Sequence, residues 1–292
     1  MNGVVNVDKP QGCTSHDVVN IWRRLSASRR VGHLGTLDPM ATGVLVLAVG
    51  TATRLAQFYT HQEKTYEGEI QLGLISDTYD ADGEVRSTEA GLPPASAVLA
   101  ALDRFRGRIS QMPPPFSAKK IHGVPAHRLA RKKIEVELKP VEVEISSLEL
   151  LEQAANRLRV RVRCSAGTYI RSLAHDLGHA LGCGAILTSL RRVRSGDFEV
   201  GASWTIDSLQ ALAAEGRLGE SVTPSSSLLP QFPTTHIDAA LEAQIRQGRE
   251  FRTSPFVVRP GAPYVKAVSY AGDLVAIGQL KFPNVYHPAV VL

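Results

Sequence analysis

The chain has 292 residues, 43% hydrophobic and 21% charged, with a formal net charge of +5, a composition long and apolar enough for one large domain and a small second one. No apolar run reaches the roughly 18 residues a membrane helix needs, and the opening MNGVVNVDKPQG lacks a basic region, an apolar stretch and a cleavage site, so a cytoplasmic protein with no membrane partner is expected. Cys13, Cys164 and Cys183 are far apart and form no CxxC pair, which argues against a disulfide framework or a thiolate zinc site.

In chain order, Gly3 to Val7 is a short β-branched strand, Lys9-Pro10-Gln11-Gly12 turns the chain, and Thr14 is placed to cap a helix with Val18, Ile21, Trp22 and Leu25 on its apolar stripe. Gly43 to Gly50 (GVLVLAVG) is a glycine-flanked apolar run of strand length, which predicts a strand buried on both faces. The stretch GHLGTLDPMATG, Gly32 to Gly43, therefore puts Asp38 on a loop leading into a core strand.

Tyr66 to Leu72 (YEGEIQL) alternates as a half-exposed strand, and Pro93 to Phe105 has helical apolar spacing at Val98, Leu102 and Phe105 before Gly107 stops it. Met112-Pro-Pro-Pro-Phe116 then opens an irregular stretch. Arg104 to Lys133 holds nine Lys/Arg and no acid, whereas the rest of residues 1–230 carries 18 Lys/Arg against 24 Asp/Glu. A charge run alone is often a solvated face. A basic arm on an acidic body, however, suits phosphate contact, because each neutralised phosphate releases counterions. Nucleic acid is the leading partner.

Arg157 to Cys164 (RLRVRVRC) alternates four arginines with Leu158, Val160, Val162 and Cys164, predicting one cationic and one core face. A helix with Ile170, Leu173, Ala174, Leu177 and Leu181 as its stripe follows, carrying Tyr169 and Arg171 at its first turn. Ser225 to Pro233 reads as a linker. Beyond it a helix, Ile237 to Gln247, and four short strand-like runs make a mostly β domain near the lower size limit for independent stability.

Two motifs imitate metal sites. His175-Asp176-Leu177-Gly178-His179 has the spacing of a zinc helix, but Asp is a methylene shorter than the Glu that chemistry uses and no third ligand is evident; two surface histidines is the better reading. Thr78 to Glu89 (TYDADGEVRSTE) nearly spells a calcium loop, yet it starts on Thr78 and follows a strand instead of a helix, so a turn rich in Asp and Gly explains it. No GxGxxG, Walker A or GxSxG occurs.

Asp38 before Pro39 is, on its own, more often a turn residue than a catalyst. Its surroundings change that. GHLGTLDPMATG, with VDKPQGCTS at Val7 to Ser15, KTYEGEIQLG at Lys64 to Gly73, DTYDADG at Asp77 to Gly83 and CSAGTYIRSLAHDLG at Cys164 to Gly178, closely resembles the TruB family of tRNA pseudouridine synthases, in family order across about residues 3–205.

The resemblance implies a mixed α/β (α+β) pseudouridine synthase fold with a largely antiparallel central sheet, and isomerisation of uridine to pseudouridine in the T-loop of tRNA without cofactor or metal. Asp38 matches the catalytic aspartate. Cleaving N1–C1′ and joining C5 to C1′ needs one ionised carboxylate, as nucleophile at C1′ or as base toward the 2′ hydrogen. Arg171 matches the arginine that pairs with it, and Tyr66 the tyrosine that stacks on the target base and is a candidate to take the C5 proton. The resemblance also assigns His33 to the flipped bases and Leu190 to a place under the uracil; Tyr169 and Lys9, carried by the motifs, are expected to bind the substrate, and the charge of the basic segment points Lys119, Lys120, Arg131 and Lys132 to the RNA.

The sequence departs from the family pattern at His127, where tyrosine is common, and at Arg54, where lysine is frequent. The expected organisation is a catalytic domain over 1–230 with an RNA-gripping arm at about 108–140, and a PUA-like RNA-binding β domain over 234–292, which the tail matches only loosely. A guide-dependent relative would need partner proteins and further terminal sequence; the start at MNGVVNVDKP favours a stand-alone monomer that contacts the T-loop and stem of tRNA.

Overall fold

The computed structural model describes residues 1–117, 138–259 and 261–292, with the backbone of 120–121 and 124–125. Lys119, His127, Arg131, Lys132 and Lys133, and the side chain of Lys120, lie outside the described residues.

The first strand, Gly3–Lys9, leads into the helix Ser15–Ser26. The Thr14 hydroxyl accepts from the Asp17 N–H at 3.1 Å, and the Asp17 carboxylate accepts from the Thr14 N–H at 2.8 Å. This reciprocal cap fixes where the helix starts. Val18 and Trp22 of the expected stripe are buried, joined by Val19, while Ile21 and Leu25 are half-buried.

Among the described residues a ten-stranded sheet runs in the order Thr223–Pro224, Gly3–Lys9, Thr42–Val49, Ala185–Ser195, Lys64–Leu72, Arg157–Cys164, Val141–Ala154 and Gly107–Gln111, with Val31–His33 paired to Thr42–Val49 and Phe198–Glu199 to Ala185–Ser195. Its pairings are antiparallel except that of Thr42–Val49 with Ala185–Ser195, where Arg191 faces Thr42 and Arg192 faces Gly43. Gly43 has φ +98°, and a Cβ there would strike the Arg192 backbone oxygen. Only glycine lets these strands approach, and their junction lies where the Asp38 loop joins the sheet.

One face of this sheet is covered by the helices Ser15–Ser26, Ala95–Asp103, Ile170–Ala180 and Ile206–Ala214, with Trp22, Leu102, Leu173, Leu177 and Leu209 in the core between them. The strand Thr42–Val49 contributes Leu45, Leu47 and Val49 to that core and turns Val44, Val46 and Ala48 to a second one. Two buried faces explain its unbroken apolar run. Helix Ile170–Ala180 lies close against Ala185–Ser195 because Gly178 is there: a Cβ at that position would collide with the Ala185 nitrogen. Leu181, expected on the helix stripe, is half-buried just past the helix end.

The face expected to be cationic is a charge ladder. Arg157, Arg159, Arg161 and Arg163 alternate outward as the sequence implies, but the neighbouring strand and its approach supply glutamates. Arg157 pairs with Glu69 at 3.8 Å, Arg159 and Arg161 with Glu67 at 3.2 and 2.7 Å, and Arg163 with Glu63 at 2.7 Å. Opposite charges on adjacent strands attract at this range, so the ladder cancels much of its own field.

The second core joins Val4, Val44, Val46 and Leu55 to Leu228, Leu229, Val268, Leu274 and Ile277. The expected linker is thus packed. The Leu229 N–H donates to the Tyr59 hydroxyl at 3.1 Å, and buried Lys266 donates to the carbonyls of Ser226 and Leu228, each at 3.0 Å. Beyond it stands a five-stranded sheet in the order Thr234–Ile237, Tyr264–Ser269, Leu274–Phe282, Val285–Val291 and Phe251–Arg252. Its helix is Ala239–Arg246, capped by Asp238. Ile237 therefore ends a strand instead of starting the helix: the Asp238 carboxylate, accepting from the Leu241 N–H at 2.8 Å, sets the boundary. Among the described residues no helix is long and apolar enough to cross a membrane.

Candidate active site

The loop between Val31–His33 and Thr42–Val49 carries Asp38, and its backbone is held from several sides. Ser15, at the helix start, donates its hydroxyl to the Leu37 carbonyl at 3.0 Å and accepts from the Leu37 N–H at 2.8 Å. The Gly12 N–H donates to the Pro39 carbonyl at 2.9 Å. Lys9, expected to meet RNA, is instead fully enclosed: its ammonium donates to the carbonyls of Pro10, Cys13 and Pro39 at 2.9, 2.7 and 3.3 Å. Burial pulls its pKa down, while nearby Cys13 and Asp38 oppose that. It supports the loop from behind.

Arg171 sits on the buried side of its helix, 4% exposed. Its Nε lies 2.9 Å from Asp38 Oδ2, an ion pair whose N–H is not aimed at the oxygen closely enough for a hydrogen bond. Nη1 donates to the Thr78 carbonyl at 3.1 Å and lies 3.4 Å from Asp80 Oδ2, and Nη2 donates to the Phe116 carbonyl at 3.0 Å. Asp80 is itself fixed, accepting from the Thr78 hydroxyl at 2.6 Å and the Asp82 N–H at 3.1 Å. Burial raises the Asp80 pKa, and Thr78 and Arg171 pull it back. The segment read as a plain Asp/Gly turn is thus a clasp on Arg171.

The start of the same helix is set by Gln111, whose side-chain amide donates to the Tyr169 carbonyl at 3.0 Å and accepts from the Tyr169 N–H at 2.8 Å. Gln111 ends an edge strand of the sheet, so this bidentate amide ties sheet to helix and orients Tyr169 and Arg171 together.

A cleft of about 390 Å³ opens here, lined among others by Asp38, Lys64, Tyr66, Tyr169, Arg171, Leu190 and Arg192. Asp38 is the one carboxylate among the described lining residues. Tyr66 and Leu190 come from adjacent strands and are 9% and 7% exposed, apolar enough to receive a planar base. Burial raises the pKa of Tyr66, and the Arg192 cation acts against it. Tyr169 is likewise raised by burial. Lys64 donates to the carbonyls of Thr60 and Gln62, and burial pushes it down to about 8.

The structure thus brings together Asp38, Tyr66, Tyr169, Arg171 and Leu190. It does not bring His33, which is half-buried on the strand before the loop, outside the cleft lining, with its pKa lowered by burial and by Arg192 and His16. Sequence reasoning missed Asp80, Arg192, Lys64 and Gln111 as parts of the site. Asp80 stood in a quoted motif, and Arg192 follows Leu190 in a strand pattern, where an arginine gives no sign of whether it faces water. Among the described residues no group of three or more His, Cys, Asp or Glu could hold a metal ion. His179 is exposed as expected, but His175 is half-buried, stacked on Tyr79 with ring centroids 3.9 Å apart.

Two family models match the chain: the TruB family pseudouridylate synthase N-terminal domain over residues 23–170 and the tRNA pseudouridylate synthase B C-terminal domain over residues 171–230. The chain belongs to the TruB family. It is 52% identical to a tRNA pseudouridine synthase B of Solibacter usitatus (strain Ellin6076), covering 100% of both chains. It is 44% identical to the enzyme of that name from Azoarcus sp. (strain BH72), over 86% of this chain and 84% of that one. Among solved structures it is similar to a Cbf5–Nop10–Gar1 complex, with a TM-score of 0.72 and 27% identity over 98% of this chain and 83% of that chain. The TruB models thus divide at the residue before Arg171, although the ten-stranded sheet runs through both parts.

Proposed function

We propose that this protein isomerises uridine to pseudouridine in the T-loop of tRNA, with Asp38, Tyr66 and Arg171 as the residues that carry the chemistry. The observation that carries the reading is a cleft with a single carboxylate among its described lining residues, Asp38, ion-paired to the buried Arg171 beside an apolar slot of Tyr66 and Leu190. A glycosidase that loses its leaving group uses two carboxylates, one of them to protonate that group. Here the detached uracil is recaptured, so one suffices.

The target nucleotide leaves its stack at a cost of a few kcal/mol, and the slot between Tyr66 and Leu190 receives the base. Asp38 then either bonds to C1′ as the N1–C1′ bond breaks or removes the 2′ hydrogen. The uracil turns and C5 bonds to C1′ as the Asp38–C1′ bond breaks or, on the second route, as the proton held by Asp38 returns to C2′; the C5 proton departs, Tyr66 being placed to take it, and N1 ends protonated. Atoms and oxidation state are conserved, so the reaction requires neither redox cofactor nor co-substrate.

Residues 1–230 form the catalytic unit in this reading. The basic segment at about 108–140 grips the phosphate backbone, and residues 234–292 add a PUA-like RNA contact. The protein works in the cytoplasm as a monomer, without guide RNA or obligatory protein partner; full-length likeness to proteins named for tRNA supports this over a guided enzyme. The test is to incubate purified protein alone with unmodified tRNA transcript and map pseudouridine. Conversion at the T-loop uridine is expected. Conversion elsewhere only, or dependence on an added guide RNA, contradicts the reading.

A further inference from the structure

Arg192 is buried, 2% exposed, at the wall of the cleft. Its guanidinium spends every nitrogen on backbone carbonyls: Nη2 on Gly35 at 3.0 Å, Nη1 on Thr36 at 3.3 Å and Nε on Val44 at 2.7 Å. Gly35 and Thr36 lie just before Asp38, and Val44 lies just past the loop. One planar fork thus ties the entry of the Asp38 loop to its exit, a geometry that an ammonium cannot copy.

Arg192 also stands directly across from Tyr66 in the antiparallel register of Ala185–Ser195 with Lys64–Leu72. Facing residues on neighbouring strands have their Cβ atoms about 5 Å apart, and both side chains line the cleft. Asp38, the carboxylate of the cleft, is taken up by Arg171.

We propose that Arg192 is a positioning residue of this site, fastening the Asp38 loop to the Tyr66 strand so that carboxylate and phenol meet the same nucleotide. The proposal deepens the uridine-isomerising reading and rests on it. The charged and titratable groups that act on Tyr66 are Arg192 on one neighbouring strand, Cys164 on the other and Asp38 on the loop, while Lys64, Tyr169 and Arg171 line the same cleft. Burial, Cys164 and Asp38 raise the Tyr66 pKa; Arg192 opposes them. Without that cation the phenolate forms only at still higher pH, so a rate limb that rises as Tyr66 deprotonates moves to higher pH.

The experiment is single-turnover conversion of unmodified tRNA against pH by the wild type, Arg192→Met and Arg192→Lys, with RNA affinity measured in parallel. Arg192→Met is expected to slow turnover about a hundredfold, the scale of an ångström-level misplacement, with the alkaline limb displaced upward and affinity within about threefold of wild type. Arg192→Lys keeps the charge but reaches fewer carbonyls; it keeps the limb near its wild-type position while restoring only part of the rate. Should Arg192→Met fail to fold, Arg192→Lys decides alone: a full wild-type rate in that variant overturns the proposal. So does an Arg192→Met protein that melts earlier yet turns over with the wild-type rate and pH profile. A wild type that makes no pseudouridine refutes the isomerase reading itself, an outcome distinct from wild-type turnover that ignores Arg192.

Discussion

Two sets of arginine–acid pairs, one on the outer face of the large sheet and one at the cleft, behave differently. On the outer face, Arg157, Arg159, Arg161 and Arg163 pair with Glu63, Glu67 and Glu69, the arginine side chains roughly half exposed at 46–60%. At the cleft, Arg171 pairs with Asp38 and Asp80, and its side chain and that of Asp80 are each 5% exposed. The chemistry of the pairs is the same; the solvent is not. Water screens the ladder, whereas Arg171 is enclosed between the carboxylates of Asp38 and Asp80 and the carbonyls of Thr78 and Phe116, and a charge so enclosed needs its partners. What encloses an arginine here, more than the acid it meets, sets how firmly it is held.

Breaking the enclosed arrangement should have the largest effect. Asp80→Asn keeps the acceptor for Thr78 and Asp82 but removes the charge behind Arg171. Pseudouridine formation should fall about a hundredfold through misplacement of Arg171, and Asp80→Ala should also lose about 3 kcal/mol of stability in denaturant melts, because a buried partner is left unpaired. Wild-type turnover in Asp80→Asn would reduce the clasp to a turn. At the other extreme, Glu67→Gln removes the acid shared by Arg159 and Arg161. It should change stability by less than about 1 kcal/mol and leave turnover unaltered. A large loss there would mean that the ladder belongs to the functional surface.

The same contrast marks what could be read from the sequence. Periodicity located the Gly3, Thr42, Lys64 and Arg157 strands and the helix bearing Arg171, because each has a one-sided or two-sided apolar pattern of its own. It could not show that Glu67, about ninety positions from Arg159 and Arg161, would sit beside them, so the outward arginines read as a cationic surface. Asp38, Tyr66, Tyr169 and Arg171 were legible through motifs and Leu190 through the resemblance they carry, and the five share one cleft. Asp80 and Arg192 were not, since a turn aspartate and a strand arginine acquire their roles only when the sheet closes. Lys9 and His33 show the converse: their motif is present, but one is spent on loop carbonyls and the other lies outside the cleft lining.

The central claim is that the ionised carboxylate of Asp38 performs the chemistry, and Asp38→Asn tests it most directly, since the amide keeps the shape of the loop residue and removes its charge. Pseudouridine mapping on unmodified tRNA after prolonged incubation with this variant should find no product above background, while tRNA affinity stays near that of the wild type. Conversion of the T-loop uridine at a rate near wild type would contradict the account and return Asp38 to the role of a turn residue.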